Sequence, residues 1–256
     1  MTKIHHLLCC IIAALCLPVS CFSQTVSDTL VTSKMLVTSD TLLKQDCFSY
    51  KKLIIPSALI IGGTLLRHSA INNDVKEYRD RNFGSFKTSF DDYFQYSSIA
   101  LTFGGNYMGF KSEHSNARML SNMLVSKLLL TAITLPLKNN IGDLRPDGSA
   151  NNAFPSGHTA AAFTCATLHF LEYRNSNIWF ASAGFLVATT TGTLRVMNNR
   201  HWVSDITAGA GIGMTTAILT YYFNPLTFEV KKDNRVCFSP MYFDNKAGLA
   251  LNYNFK

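Results

Sequence analysis

The chain is short of charge. Asp, Glu, Lys and Arg make up 15% of its 256 residues, against 47% hydrophobic residues. This places it between a soluble protein and a multi-span membrane protein, and a mean hydropathy of +0.11 leaves that choice open. No run of basic residues is present either. The net charge of +7 is scattered along the chain, which argues against a nucleic-acid-binding arm and favours anionic lipid or a phosphorylated small molecule as partner. Cysteine is scarce beyond the first segment: four of seven (Cys9, Cys10, Cys16, Cys21) lie there, and Cys47, Cys165 and Cys237 have no metal-ligand spacing. Cys165 falls in an apolar helical segment and reads as core. Cys47 and Cys237 flank the apolar region and could pair in an oxidising compartment, with two unpaired thiols as the equal alternative. Long hydrophobic runs are few as well. A membrane-crossing helix needs about 20 apolar residues, and several runs fall short of it.

What is present begins with an export signal over residues 1–23: Lys3, an apolar stretch from Leu7 to Leu17, then small and polar residues. Cleavage after Ser23 leaves Gln24 as the mature terminus; the weaker alternative makes Cys21 a lipidated terminus. Residues 24–50 repeat a short Thr- and Ser-rich unit, "LVTSKMLVTSD", and read as a linker. Six apolar segments follow within residues 51–223, at about 52–66, 92–110, 117–137, 157–173, 177–194 and 203–223. Short polar stretches separate them, so the expected fold class is all-α, a membrane-embedded bundle of about six helices. The long connection after residue 66 has room for a short surface helix. The tail, residues 224–256, alternates apolar and polar residues around "DNKAG" and predicts a short hairpin.

Segments 203–223 and 177–194 are the best candidate spans, because their Gly, Ala, Ser and Thr residues suit close helix packing. The segment 117–137 carries Lys127 near its middle. With the signal cleaved, an odd number of spans before residue 138, three among them, would put the following loop in the cytoplasm. An exported site therefore requires that one of the first three segments not span, that the leader be retained, or that the bundle only associate with the membrane.

Chemistry concentrates at three junctions between apolar segments. "KNNIGDLRP" sets Lys138 seven residues before Arg145, and Pro146 stops a helix there. "AFPSGHTAAAF" puts Ser156, Gly157 and His158 at a helix start, where free backbone N–H groups and the dipole favour an anion. "RVMNNRHWVSD" holds Arg195, His201 and Asp205, the last two sharing a helix face so that the carboxylate can steer the imidazole. Taken singly, these are flanking charges, a helix cap and a structural pair. Two connections meeting at one end of a bundle would bring them together.

The ordered set K-x6-R-P, P-S-G-H and R-x5-H-x3-D over residues 138–205 resembles the type 2 phosphatidic acid phosphatase superfamily, which includes lipid phosphate phosphatases, secreted acid phosphatases and vanadium haloperoxidases. One position departs from the family pattern: Leu194 stands where the family usually has Ser before the arginine. The resemblance implies that Lys138, Arg145, Ser156, Gly157 and Arg195 bind phosphate. It further implies that His201 attacks phosphorus to give a phosphohistidine, that Asp205 orients His201, and that His158 protonates the leaving oxygen and then activates water. No metal or other cofactor is expected. The implied substrate is a phosphorylated membrane lipid at the periplasmic face of a bacterial inner membrane: lipid A first, then undecaprenyl diphosphate or phosphatidylglycerol phosphate. The alternatives are a soluble periplasmic acid phosphatase, a vanadate-dependent haloperoxidase, or an inactive envelope scaffold.

Overall fold

The computed structural model describes residues 48–226, 236–243 and 246–253. The expected signal, the linker through residue 47 and Cys47 itself lie outside the described residues, so the pairing of Cys47 with Cys237 does too. A 3-10 turn, Tyr50–Leu53, leads into α1 (Ile54–Leu65), and α2 (Ala70–Phe83) is the surface helix expected in the long connection. Then follow α3 (Phe90–Phe94), α4 (Ser97–Gly104), α5 (Asn116–Ile141), α6 (Gly157–Tyr173), α7 (Ile178–Met197) and α8 (Val203–Phe223). Two strands, β1 (Val236–Phe243) and β2 (Lys246–Tyr253), pair antiparallel with Phe243 opposite Lys246, as the tail's alternation predicts.

Local chemistry explains the helix ends. Ser115, Ser156 and Asn177 cap α5, α6 and α7 by accepting backbone N–H groups of the first turn. α5 runs through Pro136 and stops at Gly142, whose φ of 67° is the left-handed conformation that glycine adopts without a Cβ penalty. α7 extends three residues past the expected end at 194, which puts Arg195 on the helix.

Two expectations need correction. The segment 92–110 is not one helix: it breaks between Phe94 and Ser97 into α3 and α4. Tertiary contacts decide the break, since Asp91 is drawn to Arg195 while Thr102 Oγ1 lies 3.2 Å from His169 Nδ1 on α6. The expected spans also differ. Among the described residues the single helix long and apolar enough to cross a membrane is α5, not α7 or α8; the 3-10 turn with α1, and α2, form a further candidate pair bent by 81°. α5 turns an exposed row of Leu120, Leu124, Leu128 and Leu135 outward. α8 instead runs through the core, packed against α1, α5 and α6. Its small residues serve that packing: a Cβ on Gly209 would lie 2.7 Å from the Ser156 carbonyl oxygen, and one on Gly213 would collide with the Ala160 carbonyl.

Candidate active site

The end of α5, the start of α6, the end of α7 and the start of α8 gather at one end of the bundle, so the loops 142–156 and 198–202 meet there. Hydrogen bonds fasten them. Ser156 N–H donates to the Asp205 carbonyl (3.1 Å), Trp202 Nε1 donates to the Leu144 carbonyl (2.9 Å), and Arg200 reaches Asp147 (3.1 Å). α2 straps this end from outside. Arg67, just before it, forks onto both oxygens of Asp143 at 2.8 Å, Asn72 bonds Ser204, and Arg79 Nε donates to the Met197 carbonyl. None of these strap contacts has a pattern readable in the sequence.

His201 is buried, with a side chain 2% exposed. Its Nδ1 lies 2.8 Å from the Ala153 carbonyl and 3.4 Å from Asp205 Oδ2. The backbone carbonyl, more than the expected carboxylate, thus fixes the Nδ1–H tautomer and leaves the Nε2 lone pair available. Burial, then the positive charges of Lys138, Arg195 and Arg145, hold His201 well below the ordinary histidine range, so the imidazole is neutral. Asp205 spends Oδ2 on the Trp202 backbone N–H (2.8 Å), closing the first turn of α8. Burial pushes it up to about 7.

Lys138, in the last turn of α5, donates to the Asn152 carbonyl at 2.8 Å. It also borders Gly157, where an added Cβ would meet only the Lys138 Cε, at 3.8 Å; the backbone there is open to a ligand. Ser156 is fully buried, and its Oγ bonds Thr159 Oγ1 (2.9 Å) besides capping α6, so it braces the helix start.

Arg195 and His158 are held by two residues that the sequence reading missed. Asp91, 1% exposed, takes Arg195 NH1 on Oδ2 (2.6 Å) and Asn198 Nδ2 on Oδ1 (2.8 Å). Asp92 is half-exposed, with Oδ1 3.0 Å from His158 Nε2 and 3.5 Å from Arg195 NH1. The only sequence signal was an Asp pair at the start of a short helix, which ordinary helix-dipole preference explains equally well. Burial, then Arg195, hold His158 below the ordinary histidine value, and Asp92 and Asp91 offset only part of that.

His158, Arg195 and Asp92 face a cavity of about 830 Å³ whose wall also holds Arg79, Lys87, Arg145, Arg200 and Asp147, whereas Lys138, Ser156, Gly157 and Asp205 are not on it. Among the described residues no aliphatic or aromatic hydrophobic side chain lines it. His201 is not on that wall; it meets a small crevice shared with Arg79 and Asn199, which are. The Nε atoms of Arg145 and Arg195 are buried without a partner. Such donors cost about 1–3 kcal/mol each when left unpaired. No cluster of His, Cys, Asp and Glu suited to a metal ion occurs among the described residues.

The lipid A 1-phosphatase of Porphyromonas gingivalis is 35% identical over 180 residues, covering 70% of this chain and 40% of that protein. The lipid A 1-phosphatase of Rhizobium johnstonii is 30% identical over 168 residues, covering 55% of this chain and 66% of that one. The chain thus spans less than two thirds of either relative. Among solved structures it is similar to LpxE of Aquifex aeolicus (TM-score 0.44, 21% identity, 57% of this chain and 94% of that one). It is also similar to a transmembrane PAP2 type phosphatidylglycerolphosphate phosphatase of Bacillus subtilis (TM-score 0.48, 17% identity, 69% and 96%). The PAP2 superfamily matches over residues 119–228. That stretch contains every motif residue from Lys138 to Asp205, and it is a PAP2 superfamily domain.

Proposed function

We propose that this protein is a metal-independent phosphatase that removes phosphate from a membrane lipid, with lipid A as the leading substrate. The observation that carries the reading is a buried, neutral His201 with its Nδ1 proton fixed by Ala153 and the charges of Lys138, Arg145 and Arg195 acting on it. Fixed cations that meet the growing charge on phosphorus-bound oxygens supply the electrostatic stabilisation on which phosphoryl transfer chiefly depends. Arg145 and Arg195 offer planar forks for two oxygens at once, and Lys138 with the Gly157 backbone closes the cradle.

In the first half-reaction the His201 Nε2 lone pair forms the P–N bond as the bond to the leaving oxygen breaks. That oxygen takes a proton from His158. In the second, water attacks phosphorus and gives a proton to His158, and the P–N electron pair returns to His201.

The cavity favours a hydrophilic group next to the phosphate. Its described wall is lined by charged and polar side chains, which a phosphate carried on a sugar would match; the relatives named lipid A 1-phosphatase agree. The apolar length of α5 supports a membrane protein; with the export signal cleaved, a periplasmic site needs an even number of crossings before residue 142, which α5 supplies together with the bent pair of α1 and α2 counted as one.

The test is phosphate release by detergent-solubilised protein in EDTA. Substrates are lipid A, undecaprenyl diphosphate, phosphatidylglycerol phosphate and p-nitrophenyl phosphate, with His201→Ala alongside. Metal-free release from lipid A that His201→Ala abolishes is expected. Activity that survives the substitution overturns the nucleophile, and activity confined to the soluble ester replaces the lipid reading with that of an acid phosphatase.

A further inference from the structure

Asp92 lies outside the three motifs, on the five-residue helix α3, yet its Oδ1 sits 3.0 Å from His158 Nε2. That approach is an ion-pair contact; no contact of the other ring nitrogen, Nδ1, is found among the described residues, and His158 itself stands on the cavity wall. A ring held at one nitrogen and open at the other is oriented for proton transfer through the open one. We propose that Asp92 is the positioning residue of the proton donor: it grips His158 Nε2–H, so that Nδ1 is the nitrogen that serves the leaving oxygen. The proposal rests on His158 having the donor role assigned above.

The chemistry balances on this assignment. The imidazolium carries Nε2–H toward Asp92 and Nδ1–H toward the substrate. As the P–O bond breaks, the leaving oxygen takes the Nδ1 proton, and the neutral ring keeps the Nε2 proton on Asp92. In the hydrolytic step Nδ1 accepts a proton from the attacking water and the starting imidazolium returns. A carboxylate at this place both fixes the tautomer and favours the charged ring.

The surroundings make that support necessary. His158 shares the cavity with Arg195 from α7, Arg145 from the loop after α5, Arg200 from the loop after α7, Arg79 from α2 and Lys87 from the loop before α3. Against them stand Asp92 and Asp91 from α3 and Asp147 from the loop after α5. Asp91 is already committed to Arg195 and Asn198, and Asp147 to Arg200. Asp92 is therefore the carboxylate left for the imidazole.

The experiment is a pH profile of kcat/KM for wild type, Asp92→Asn, Asp92→Glu and His158→Ala, with lipid A and with p-nitrophenyl phosphate. General-acid catalysis is typically worth 10²–10⁴-fold. Asp92→Asn is expected to lose about 10-fold or more on the lipid, and much less on the nitrophenyl ester, whose leaving group needs little protonation. Its alkaline limb should move to lower pH, and Asp92→Glu should restore part of both effects. An Asp92→Asn profile that keeps the wild-type limb, or equal losses on both substrates, overturns the inference. If His158→Ala retains full activity on both, the donor assignment itself fails, and with it the proposed mechanism.

Discussion

At the scale of single residues the site depends on which acceptor holds His201. In proteases whose carboxylate alone orients the catalytic histidine, replacing it by an amide costs about 10⁴-fold. Here the Ala153 carbonyl is the nearer acceptor, at 2.8 Å against 3.4 Å for Asp205. We therefore expect Asp205→Asn to lose about 10–100-fold in kcat, far less than His201→Ala, as phosphate-release assays on the purified variants would show. The same pair governs stability against pH. Asp205, raised to about 7, binds a proton more tightly folded than unfolded. Its stabilising share is complete below its unfolded value near 4 and is lost as pH rises through about 7. His201, lowered by burial, contributes in the opposite sense: stability is present above about 6.5 and falls as pH drops below it. The two partly cancel between roughly pH 4 and 7. Thermal melts of Asp205→Asn at pH 5 and pH 7 should accordingly show a larger loss at pH 5 than wild type does.

At the scale of elements the start of α6 is placed by its contact with α8. Because a Cβ on Gly209 would lie 2.7 Å from the Ser156 carbonyl oxygen, Gly209→Ala must push the two helices apart where Ser156, Gly157 and His158 begin. Overpacking of this kind costs about 1–3 kcal/mol. The expected outcome is a lower melting temperature together with a fall in kcat larger than any change in KM. A drop in stability with unchanged turnover would show that the spacing does not hold the site. α3 shows the same dependence from the other direction. It is too short to be stable alone, and its Asp91 bond to Arg195 fixes its position against the bundle.

At the scale of the whole molecule the outward row on α5 separates a bilayer protein from a soluble bundle. Leu124 is 53% exposed. On a water-facing surface Leu124→Lys would change stability by no more than about 0.5 kcal/mol. Near the middle of a membrane helix it would cost about 2.5–3.5 kcal/mol. We expect Leu124→Lys to reduce the amount of protein recovered in the membrane fraction; an undiminished yield and unchanged extraction would place this face in water.

The sequence by itself determined the helical class and the ends of α6 and α8 to the residue, and through the resemblance of its three motifs it singled out Lys138, Arg145, Ser156, Gly157, His158, Arg195, His201 and Asp205 as candidates. Those features are local: apolar periodicity, a capping serine, and charges at fixed spacing beside helix ends. It could not supply Asp91 and Asp92, 66 residues or more before the groups they hold, nor the break in 92–110, nor Ala153 as the acceptor for His201. It also favoured α7 and α8 as spans, since small residues that pack a helix into a core look the same in sequence as those that pack it in a membrane. Only the tertiary structure decided these points, because each depends on what lies across a contact between segments far apart in the chain, and composition and spacing carry no record of that distance.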